Sequence, residues 1–313
     1  MLKKIVSLFI TFMLSHAIFS QSQETSITLE TQTGTIAGSI IIADTTKVTP
    51  IVLLIAGSGP TDRNGNNPMM TNNSLKMLAE GLSEHGISSL RFDKRGIAES
   101  KNAGANEADL RFETYVDDVK SWCDLIKKDS RFNGLIILGH SEGSLIGIMA
   151  SQDKQVDTFI SIAGPGLPAG EVLLKQLQEQ SPLAYQMSLP IIEKLEQGEL
   201  VNNAPEMLHA LFRPSVQPYL ISWFKYHPQT EIAKLNIPIL IIQGTTDIQV
   251  SVKDAELLAQ SNKQAQKVII ENMNHILKDA EADRTLNIQT YNNSKLPLKE
   301  ALIPAIVNFI NAN

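Results

Sequence analysis

The pattern of hydrophobic and polar positions changes along the chain from strict alternation to fully apolar runs. Two alternating segments, 26–30 and 35–42, flank Thr33 and Gly34 and predict an antiparallel hairpin at a sheet edge. Beyond them, short apolar runs alternate with segments whose apolar residues recur at helical spacing. This order predicts an α/β fold with a mainly parallel sheet and helices on both faces.

The individual elements follow from the same pattern. Strands are predicted at 50–56, 88–92, 135–138, 159–163, 238–243 and 268–271, and helices at 74–86, 113–128, 252–260 and 298–310.

One segment interrupts this alternation and predicts a helical cap, or lid. Residues 166–235 contain no clear strand, only leucine- and methionine-rich helical patterns broken by prolines. The predicted division is a signal peptide at 1–20, a core at 21–165 and 236–313, and a cap at 166–235. Apolar cap residues could line an acyl pocket or simply pack the cap onto the core: Met187, Leu189, Leu208, Leu211, Phe212, Trp223 and Phe224.

The first twenty residues have the features of a secretory signal peptide. Lys3 and Lys4 precede the apolar run 5–14, and small residues near Ser20 offer a cleavage site. The run is short for a membrane span, although an uncleaved N-terminal anchor is the alternative. We therefore expect an exported protein, periplasmic or secreted, without stable membrane insertion after cleavage.

Charge and cysteine content narrow the functional classes. The net charge of the 313-residue chain is −6, and loss of two lysines with residues 1–20 makes it −8. An acidic chain without basic clusters is a poor candidate for binding nucleic acid. The single cysteine, Cys123, lies in a helical pattern and is expected to be a buried core residue rather than a nucleophile. No metal or cofactor motif is present, so we expect neither, and the sequence specifies no oligomeric state.

A glycine-flanked serine carries the strongest chemical signal. Ser141 lies between Gly139 and Gly143, after a predicted strand and before a predicted helix. A Gly-x-Ser-x-Gly motif in that context predicts a nucleophile elbow, a strained turn that exposes the serine hydroxyl.

A nucleophilic serine needs a base and an acid that orients the base. His275 follows the strand 268–271, and Asp247 follows the strand 238–243, so both lie at the sheet edge where active sites of parallel sheets form. The chain order Ser141, Asp247, His275 is that of hydrolases with a nucleophile elbow. Asp254 is the alternative acid, although its position at a helix start favours a capping role.

A developing oxyanion needs two backbone donors. The amide of Glu142, at the start of the predicted helix, is one candidate. The second is the amide of Ser58, or alternatively of Gly59, in a glycine-rich loop after the strand 50–56. A phosphate loop is the other interpretation, but the Gly-Lys-Ser/Thr ending is absent. Asp62 and Arg63 are expected to stabilise this loop or, alternatively, Arg63 to bind an anionic substrate group.

These motifs together resemble those of the α/β-hydrolase superfamily, in its bacterial serine esterase branch, often called serine-aminopeptidase-like. The resemblance runs from about Ile27 onward and includes the loop at 57–63, the elbow, Gly244-x-x-Asp247 and the tripeptide that ends at His275. It implies a mainly parallel eight-stranded sheet, a helical cap and ester hydrolysis through an acyl-enzyme. This chain has Ala56 where many members of the superfamily have a histidine. The difference bears on the choice of the oxyanion donor and not on the triad. The charged segment 91–96 is expected to be a salt-bridged turn.

The sequence thus predicts a serine hydrolase acting on small carboxylic esters, with Ser141, Asp247 and His275 as its triad. An amidase or aminopeptidase with the same triad is one alternative. Glu193, Glu196 and Glu199 could hold a substrate amine, but their spacing fits a solvated helix face better. A non-catalytic binding protein on the same fold is the other alternative.

Overall fold

A single eight-stranded sheet forms the centre of the molecule, in a computed structural model that describes residues 23–104, 106–152 and 156–313. The predicted signal peptide at 1–20 lies outside the described residues. The strands are β1 (Gln23–Thr31), β2 (Gly34–Ile42), β3 (Thr49–Ile55), β4 (Ser88–Phe92), β5 (Phe132–His140), β6 (Thr158–Ile162), β7 (Ile239–Gly244) and β8 (Ala265–Ile270).

The order of the strands in the sheet is β1-β2-β4-β3-β5-β6-β7-β8. β1 and β2 form the predicted antiparallel hairpin, and β2 pairs antiparallel with β4. Every pairing from β4 to β8 is parallel, so the carboxyl ends of these strands meet at one edge of the sheet. The prediction of a mainly parallel eight-stranded sheet is confirmed.

Helices cover both faces of the sheet. The α-helices are α1 (Ser74–Ser83), α2 (Phe112–Lys127), α3 (Glu142–Ala150), α4 (Ala169–Gln180), α5 (Pro182–Glu196), α6 (His209–Phe212), α7 (Gln217–Phe224), α8 (Pro228–Ile232), α9 (Val252–Ser261), α10 (Arg284–Gln289) and α11 (Leu302–Ala312). Short 3₁₀ turns occur at Ala98–Gly104, Glu107–Asp109, Glu206–Leu208 and Thr290–Asn292.

Alternate residues of β3 show why a central strand is apolar throughout. Leu53 is buried in a cluster with side chains of α2, α3 and α9, whereas Leu54 is buried in a second cluster with side chains of α1 and α11. Both faces of a doubly covered sheet exclude water, so both sets of side chains must be hydrophobic. Cys123, on α2, is buried in the first cluster as expected.

The C-terminal elements differ most from the sequence prediction. The last helix begins at Leu302 rather than at 298, because Leu298 pairs with Lys278 in an isolated β-bridge and the amide of Lys299 donates to the Leu277 carbonyl. Helix α10 was not predicted. It begins after Asp283, whose side chain accepts a hydrogen bond from the amide of Leu286.

Five helices, α4 to α8, occupy the stretch predicted as a cap, with no strand between Ala163 and Pro238. Helix α7 packs on α2 of the core, where the rings of Trp223 and Phe112 stack with centroids 6.0 Å apart. Of the seven apolar residues singled out in this stretch, Leu208, Phe212 and Phe224 are buried in the core cluster. The boundaries of a separate cap, 166–235, stay a prediction.

Among the described helices, none combines the length and the hydropathy required to cross a bilayer.

Candidate active site

Ser141 occupies a strained turn between β5 and α3. Its backbone has φ 55° and ψ −125°, a conformation that is rare for any residue other than glycine. The turn is held by two hydrogen bonds, from the Ser141 amide to the Ile162 carbonyl and from the Ser144 amide to the Ser141 carbonyl, at 3.0 and 2.9 Å. The surrounding backbone therefore imposes the strain on Ser141.

The glycines of the motif are required by close backbone contacts. A Cβ atom on Gly139 would lie 2.2 Å from the carbonyl oxygen of Gly143. A Cβ atom on Gly143 would lie 2.4 Å from the carbonyl oxygen of Ile55, at the end of β3. Both distances are far below any tolerated contact, so only glycine lets the helix start this close to the two strands.

His275 and Asp247 form a buried pair on neighbouring loops. The Nδ1 atom of His275 lies 2.8 Å from Asp247 Oδ2, and both side chains are almost fully buried. Asp247 follows β7 and His275 follows β8, as the sequence predicted. Since the carboxylate accepts, the His275 Nδ1 carries the hydrogen and Nε2 is left as the basic nitrogen.

Asp247 is held by four hydrogen bonds. Oδ1 accepts from the amides of Gln249 and Val250, at 2.8 and 2.9 Å, and Oδ2 also accepts from Gln243 Nε2 at 3.0 Å. Burial by itself raises the pKa of Asp247, but the charge and hydrogen bond of His275 and the two backbone amides outweigh it and hold the pKa below its ordinary value. The carboxylate is thus kept ionised beside the imidazole.

His140, the neighbour of Ser141, connects the elbow to His275. Its Nε2 donates a 2.8 Å hydrogen bond to the backbone carbonyl of His275, and the two imidazole rings lie 4.8 Å apart. Burial, and then the proximity of His275, lower the pKa of His140 to about 4. The sequence alone indicates no role for His140, because His140 and His275 are 135 positions apart and no local pattern connects them.

Ser141 itself is half-buried, and no hydrogen bond of the described residues joins its hydroxyl to His275. In ligand-free sites such contacts often tighten only when a substrate binds. The structure therefore joins His275 to Asp247, and His275 to the elbow through His140, while the chemical roles of Ser141, His275 and Asp247 stay predictions.

The glycine-rich loop after β3 lies directly against the elbow. A Cβ atom on Gly57 would lie 3.0 Å from Ser141 Cβ. Ser58 lines the same pocket as Ser141 and Glu142, and Glu142 is the first residue of α3, where a backbone N–H has no partner within the helix. The alternative donor, Gly59, has φ 68° and lies outside the residues that line this pocket.

Charged residues around this loop pair with one another, as expected of a salt-bridged turn. The guanidinium of Arg63 binds Asp93 at 2.8 Å and Glu99 at 2.7 Å, while Asp62 accepts from backbone amides of its own loop. The contacts of Asp62 and Arg63 thus agree with the expected loop-stabilising role. Within 91–96, the ion pairs are Arg91–Glu24, Asp93–Arg63, Lys94–Glu142 and Arg95–Asp118.

Asp254, the alternative acid, is occupied elsewhere. Its Oδ2 accepts from the hydroxyl and the amide of Ser251 in a capping box at the start of α9, and its Oδ1 accepts from the amide of Gly166. It makes no contact with His275 among the described hydrogen bonds, so the capping role favoured from the sequence agrees with the structure.

A mostly apolar pocket opens beside Ser141, between the elbow and helices of the predicted cap. The space between protein atoms here is about 540 Å³, which includes open solvent at the mouth of the pocket. Its walls are formed by Ser58, Ser141, Glu142, Leu145, Pro165, Leu167, Ala169, Val172, Leu173, Gln176, Trp223, Pro228, Gln249 and Val250. Trp223 is therefore the one residue of the seven apolar cap residues that lines this pocket. In the described ranges, no cluster of potential metal ligands occurs.

Comparison with known proteins agrees with this geometry. The sequence profile of the family described as serine aminopeptidase, S33, matches residues 71–281, which is more than half of the chain. The chain therefore belongs to this family of α/β-hydrolases.

Individual relatives are esterases. The chain is 28% identical to esterase EstD of Thermotoga maritima over 79% of this chain and 59% of that protein, so it spans less than two thirds of that relative. The fold is similar to that of Est1E from Butyrivibrio proteoclasticus in complex with ferulic acid, at TM-score 0.61 and 16% identity, over 91% of this chain and 99% of that one. It is also similar to the Pyrococcus furiosus esterase Pf2001, at TM-score 0.59 and 15% identity, over 93% and 91% of the two chains.

Two glycines of β5 provide a test of the elbow packing. We expect Gly139→Ala to lower the free energy of unfolding by at least about 3 kcal/mol, because its methyl group would overlap the backbone of Gly143. Gly134→Ala is the matched control, since a Cβ there has its nearest neighbours at 3.9 Å. Urea unfolding of both variants measures the difference, and equal stability of the two would contradict the packing argument.

His140 predicts a pH dependence of stability. Its folded-state pKa of about 4 lies below the ordinary value of 6.5, so an unfolded chain takes up a proton there that the native chain does not. His140 therefore makes its full contribution to the free energy of unfolding above pH 6.5, and this contribution is lost as the pH falls towards 4. Between pH 7 and pH 4.5 we expect His140 to account for a loss of about 2 kcal/mol.

The measurement compares urea unfolding of wild type and His140→Asn at those two pH values. The decrease in the free energy of unfolding from the higher to the lower pH should be smaller in His140→Asn than in wild type, and the difference should equal the expected contribution of His140. This comparison does not depend on the absolute stability of the variant. Parallel pH profiles for the two proteins would show that His140 is not buried as a neutral imidazole.

Proposed function

We propose that this protein is a serine hydrolase that cleaves small carboxylic esters through an acyl-enzyme. Ser141 attacks the ester carbonyl, His275 Nε2 takes the proton of the hydroxyl and then gives it to the leaving alcohol, and Asp247 orients the imidazole. In the second half of the cycle, His275 takes a proton from the water that attacks the acyl-enzyme and returns it to the Ser141 oxygen, as the bond between that oxygen and the acyl group breaks and the acid leaves.

The observation that carries this proposal is the 2.8 Å hydrogen bond between His275 Nδ1 and Asp247, together with the hydrogen bond from His140, the neighbour of the strained Ser141, to the His275 carbonyl. An imidazole fixed in this tautomer is a base at Nε2, and an ionised acid behind it stabilises the imidazolium that forms. The positive φ of Ser141 costs about 1–3 kcal/mol, and backbone strain of this kind clusters at active sites.

The oxyanion of the tetrahedral intermediate would be bound by the amides of Glu142 and Ser58, with Gly59 as the alternative to Ser58. Both preferred residues line the pocket beside Ser141. The N-terminal end of α3 adds the positive end of the helix dipole to the Glu142 amide.

The walls of the pocket favour a substrate with an uncharged, apolar acyl group. Most wall residues are aliphatic or aromatic, and among the polar ones only Glu142 is charged, with its carboxylate bound by Lys94 and Tyr219. Ferulic acid is bound in the structurally similar Est1E, so we include esters of aromatic carboxylic acids among the substrates to test first. The proposed substrates are therefore neutral esters with a short aliphatic or aromatic acyl part.

Aminopeptidase activity, the name that the family carries, is the second candidate. A site for a free amino terminus needs a carboxylate that can pair with the ammonium. Glu142 is the one charged residue among the described wall residues, and Lys94 and Tyr219 already occupy its oxygens. Glu193, Glu196 and Glu199 are exposed and lie outside the pocket walls, which favours the ester over the peptide substrate.

Ser141→Ala and Asp247→Asn test the proposed chemistry. We expect wild type to be labelled by a fluorophosphonate and Ser141→Ala to remain folded but unlabelled, with ester hydrolysis at background. Asp247→Asn should lower kcat by about 10³- to 10⁴-fold, because the amide favours the wrong imidazole tautomer. Absence of labelling in a folded wild-type protein would favour the alternative of a non-catalytic binding protein.

The substrate assay compares p-nitrophenyl butyrate with an aminoacyl p-nitroanilide that has a free amino group. We expect turnover of the ester to exceed that of the amide, and acetylation of the amino group not to reduce amide turnover. Faster hydrolysis of the free-amine substrate would support the aminopeptidase instead.

Export is a second part of the proposal and is supported by the sequence of residues 1–20. Two lysines, an apolar run and small residues before position 21 fit cleavage after Ser20. We expect the protein from its own cells to begin at Gln21, outside the cytoplasmic fraction, as measured by N-terminal mass spectrometry after fractionation. A full-length chain with Met1 in the membrane fraction would support the uncleaved anchor.

A further inference from the structure

A buried ammonium joins the two sides of the candidate oxyanion hole. Lys94 is 1% exposed, and its Nζ donates to the carbonyl oxygen of Gly57 at 2.6 Å and to Glu142 Oε2 at 2.7 Å. The same Nζ lies 4.9 Å from the centre of the Tyr115 ring. One side chain thus contacts the loop after β3 and the first residue of α3 at the same time.

The contact with Gly57 determines where the Ser58 amide points. The carbonyl of Gly57 and the N–H of Ser58 belong to one peptide unit, which is planar and has its C=O and N–H on opposite sides when trans. The structure contains no cis peptide among the described residues. Holding the carbonyl towards Lys94 therefore turns the Ser58 N–H away from Lys94, and Ser58 is a wall residue of the pocket that contains Ser141.

The contact with Glu142 acts on the other donor. Its carboxylate is shared, since Oε2 accepts from Lys94 and Oε1 accepts from the Tyr219 hydroxyl at 2.5 Å. Burial, and then the charge of Glu142, raise the pKa of Tyr219 well above its ordinary value, so Tyr219 remains a hydrogen-bond donor. The side chain of Glu142 is thereby fixed on the first turn of α3, whose leading amide is the second candidate donor.

Stability alone is a weak explanation for this ion pair. Removing two charges from water costs several kcal/mol per ion, and a well-packed hydrophobic pair is often as stable or more stable. The surrounding side chains are large aromatics that would accommodate such a replacement, with Tyr115 and Tyr219 in edge-to-face contact at 5.6 Å. The specific benefit of a charged pair here is that an ammonium can bind a backbone carbonyl and a carboxylate together.

We propose that Lys94 is a positioning residue for ester hydrolysis: by binding the Gly57 carbonyl and Glu142 it aims the Ser58 and Glu142 amides at the oxyanion. The proposal rests on the proposed function, because it assigns these amides to the transition state. Lys94 does not touch the substrate and acts through the Gly57–Ser58 peptide.

The test is the double variant Lys94→Met/Glu142→Gln, which removes both charges together and leaves no unpaired buried ion. Kinetics with p-nitrophenyl butyrate are normalised to the sites titrated by a fluorophosphonate, so that unfolded protein does not count. We expect kcat per titrated site to fall about 10- to 100-fold with KM changed less than about 3-fold, since oxyanion contacts act in the transition state. The acidic limb of the kcat/KM pH profile should stay in place, because His275 and Asp247 are untouched.

A matched control is available in the same turn. Arg95→Met/Asp118→Asn removes a neighbouring, partly buried ion pair, with contact at 2.6 Å, that has no bond to the loop at 57–63 or to the elbow among the described contacts. We expect this variant to lose thermal stability as well, but to keep kcat per titrated site within about 3-fold of wild type. A purely structural role for Lys94 predicts the same kinetics for both double variants.

A rescue variant separates the hydrogen bond from the charge. Lys94→Gln/Glu142→Gln returns an N–H donor for the Gly57 carbonyl without any charge, and we expect it to recover part of the kcat lost in the Met variant. The same Gln variant tests the proposal if the Met variant does not fold. In that case, a folded Gln variant with a kcat below that of wild type and an unchanged KM supports the proposal.

Two results would overturn the proposal. One is wild-type kcat per titrated site in folded Lys94→Met/Glu142→Gln, and the other is an equal loss of kcat in the control pair. Failure of the underlying function gives a different result, because wild type itself would then not be labelled by the fluorophosphonate or hydrolyse the ester.

Discussion

The close contact between the end of β5 and the start of α3 is the constraint on which the rest of the site depends. At Gly139 and Gly143 the two backbones approach so closely that no side chain fits between them. The chain can turn from strand to helix in that space only if Ser141 adopts a positive φ, at a cost of about 1–3 kcal/mol. That cost is tolerated because β3 and β6, on either side of β5, hold the turn in place through the Gly143 contact and the Ser141 amide.

The loops that carry the other candidate site residues lie at the same edge of the sheet as Ser141, because the parallel strands end there. The loops after β3, β7 and β8 start from separate positions in the sheet, so strand order alone does not align them to within a hydrogen bond. Two buried contacts make the finer connection to the elbow. His140 donates to the His275 carbonyl, and Lys94 binds both the Gly57 carbonyl and Glu142. In each case a side chain fixes a backbone carbonyl, that of His275 or that of Gly57. A backbone group has fewer degrees of freedom than a side chain, so such a contact fixes the loop more firmly.

The sequence predicted those parts that depend on local periodicity and on single loops. Apolar runs identified the strands, and Asp247 and His275 were noted because each follows one of them, since both features are read within a few residues. The structure joins these two residues by a hydrogen bond. The contacts of Lys94 with Glu142 and of His140 with His275 were not predicted, because they span 48 and 135 positions and no local pattern encodes them. Helix α10 was missed because six residues offer too little periodicity. The helices of the cap segment were expected only in outline, since prolines obscure their bounds and packing against α2 decides their position.

The charges of the candidate site are balanced inside the protein, and this bears on the substrates proposed for it. Asp247 is paired with His275, and Glu142 with Lys94, so neither carboxylate is left to attract a cation from solvent. Both pairs are almost fully buried, where an uncompensated charge would be costly, and a substrate ammonium would have to break one of them to gain a partner. A neutral acyl group needs no such exchange and gains from the apolar walls that Leu145, Leu173 and Trp223 provide. The electrostatics of the pocket therefore support the proposed preference for neutral esters over charged substrates.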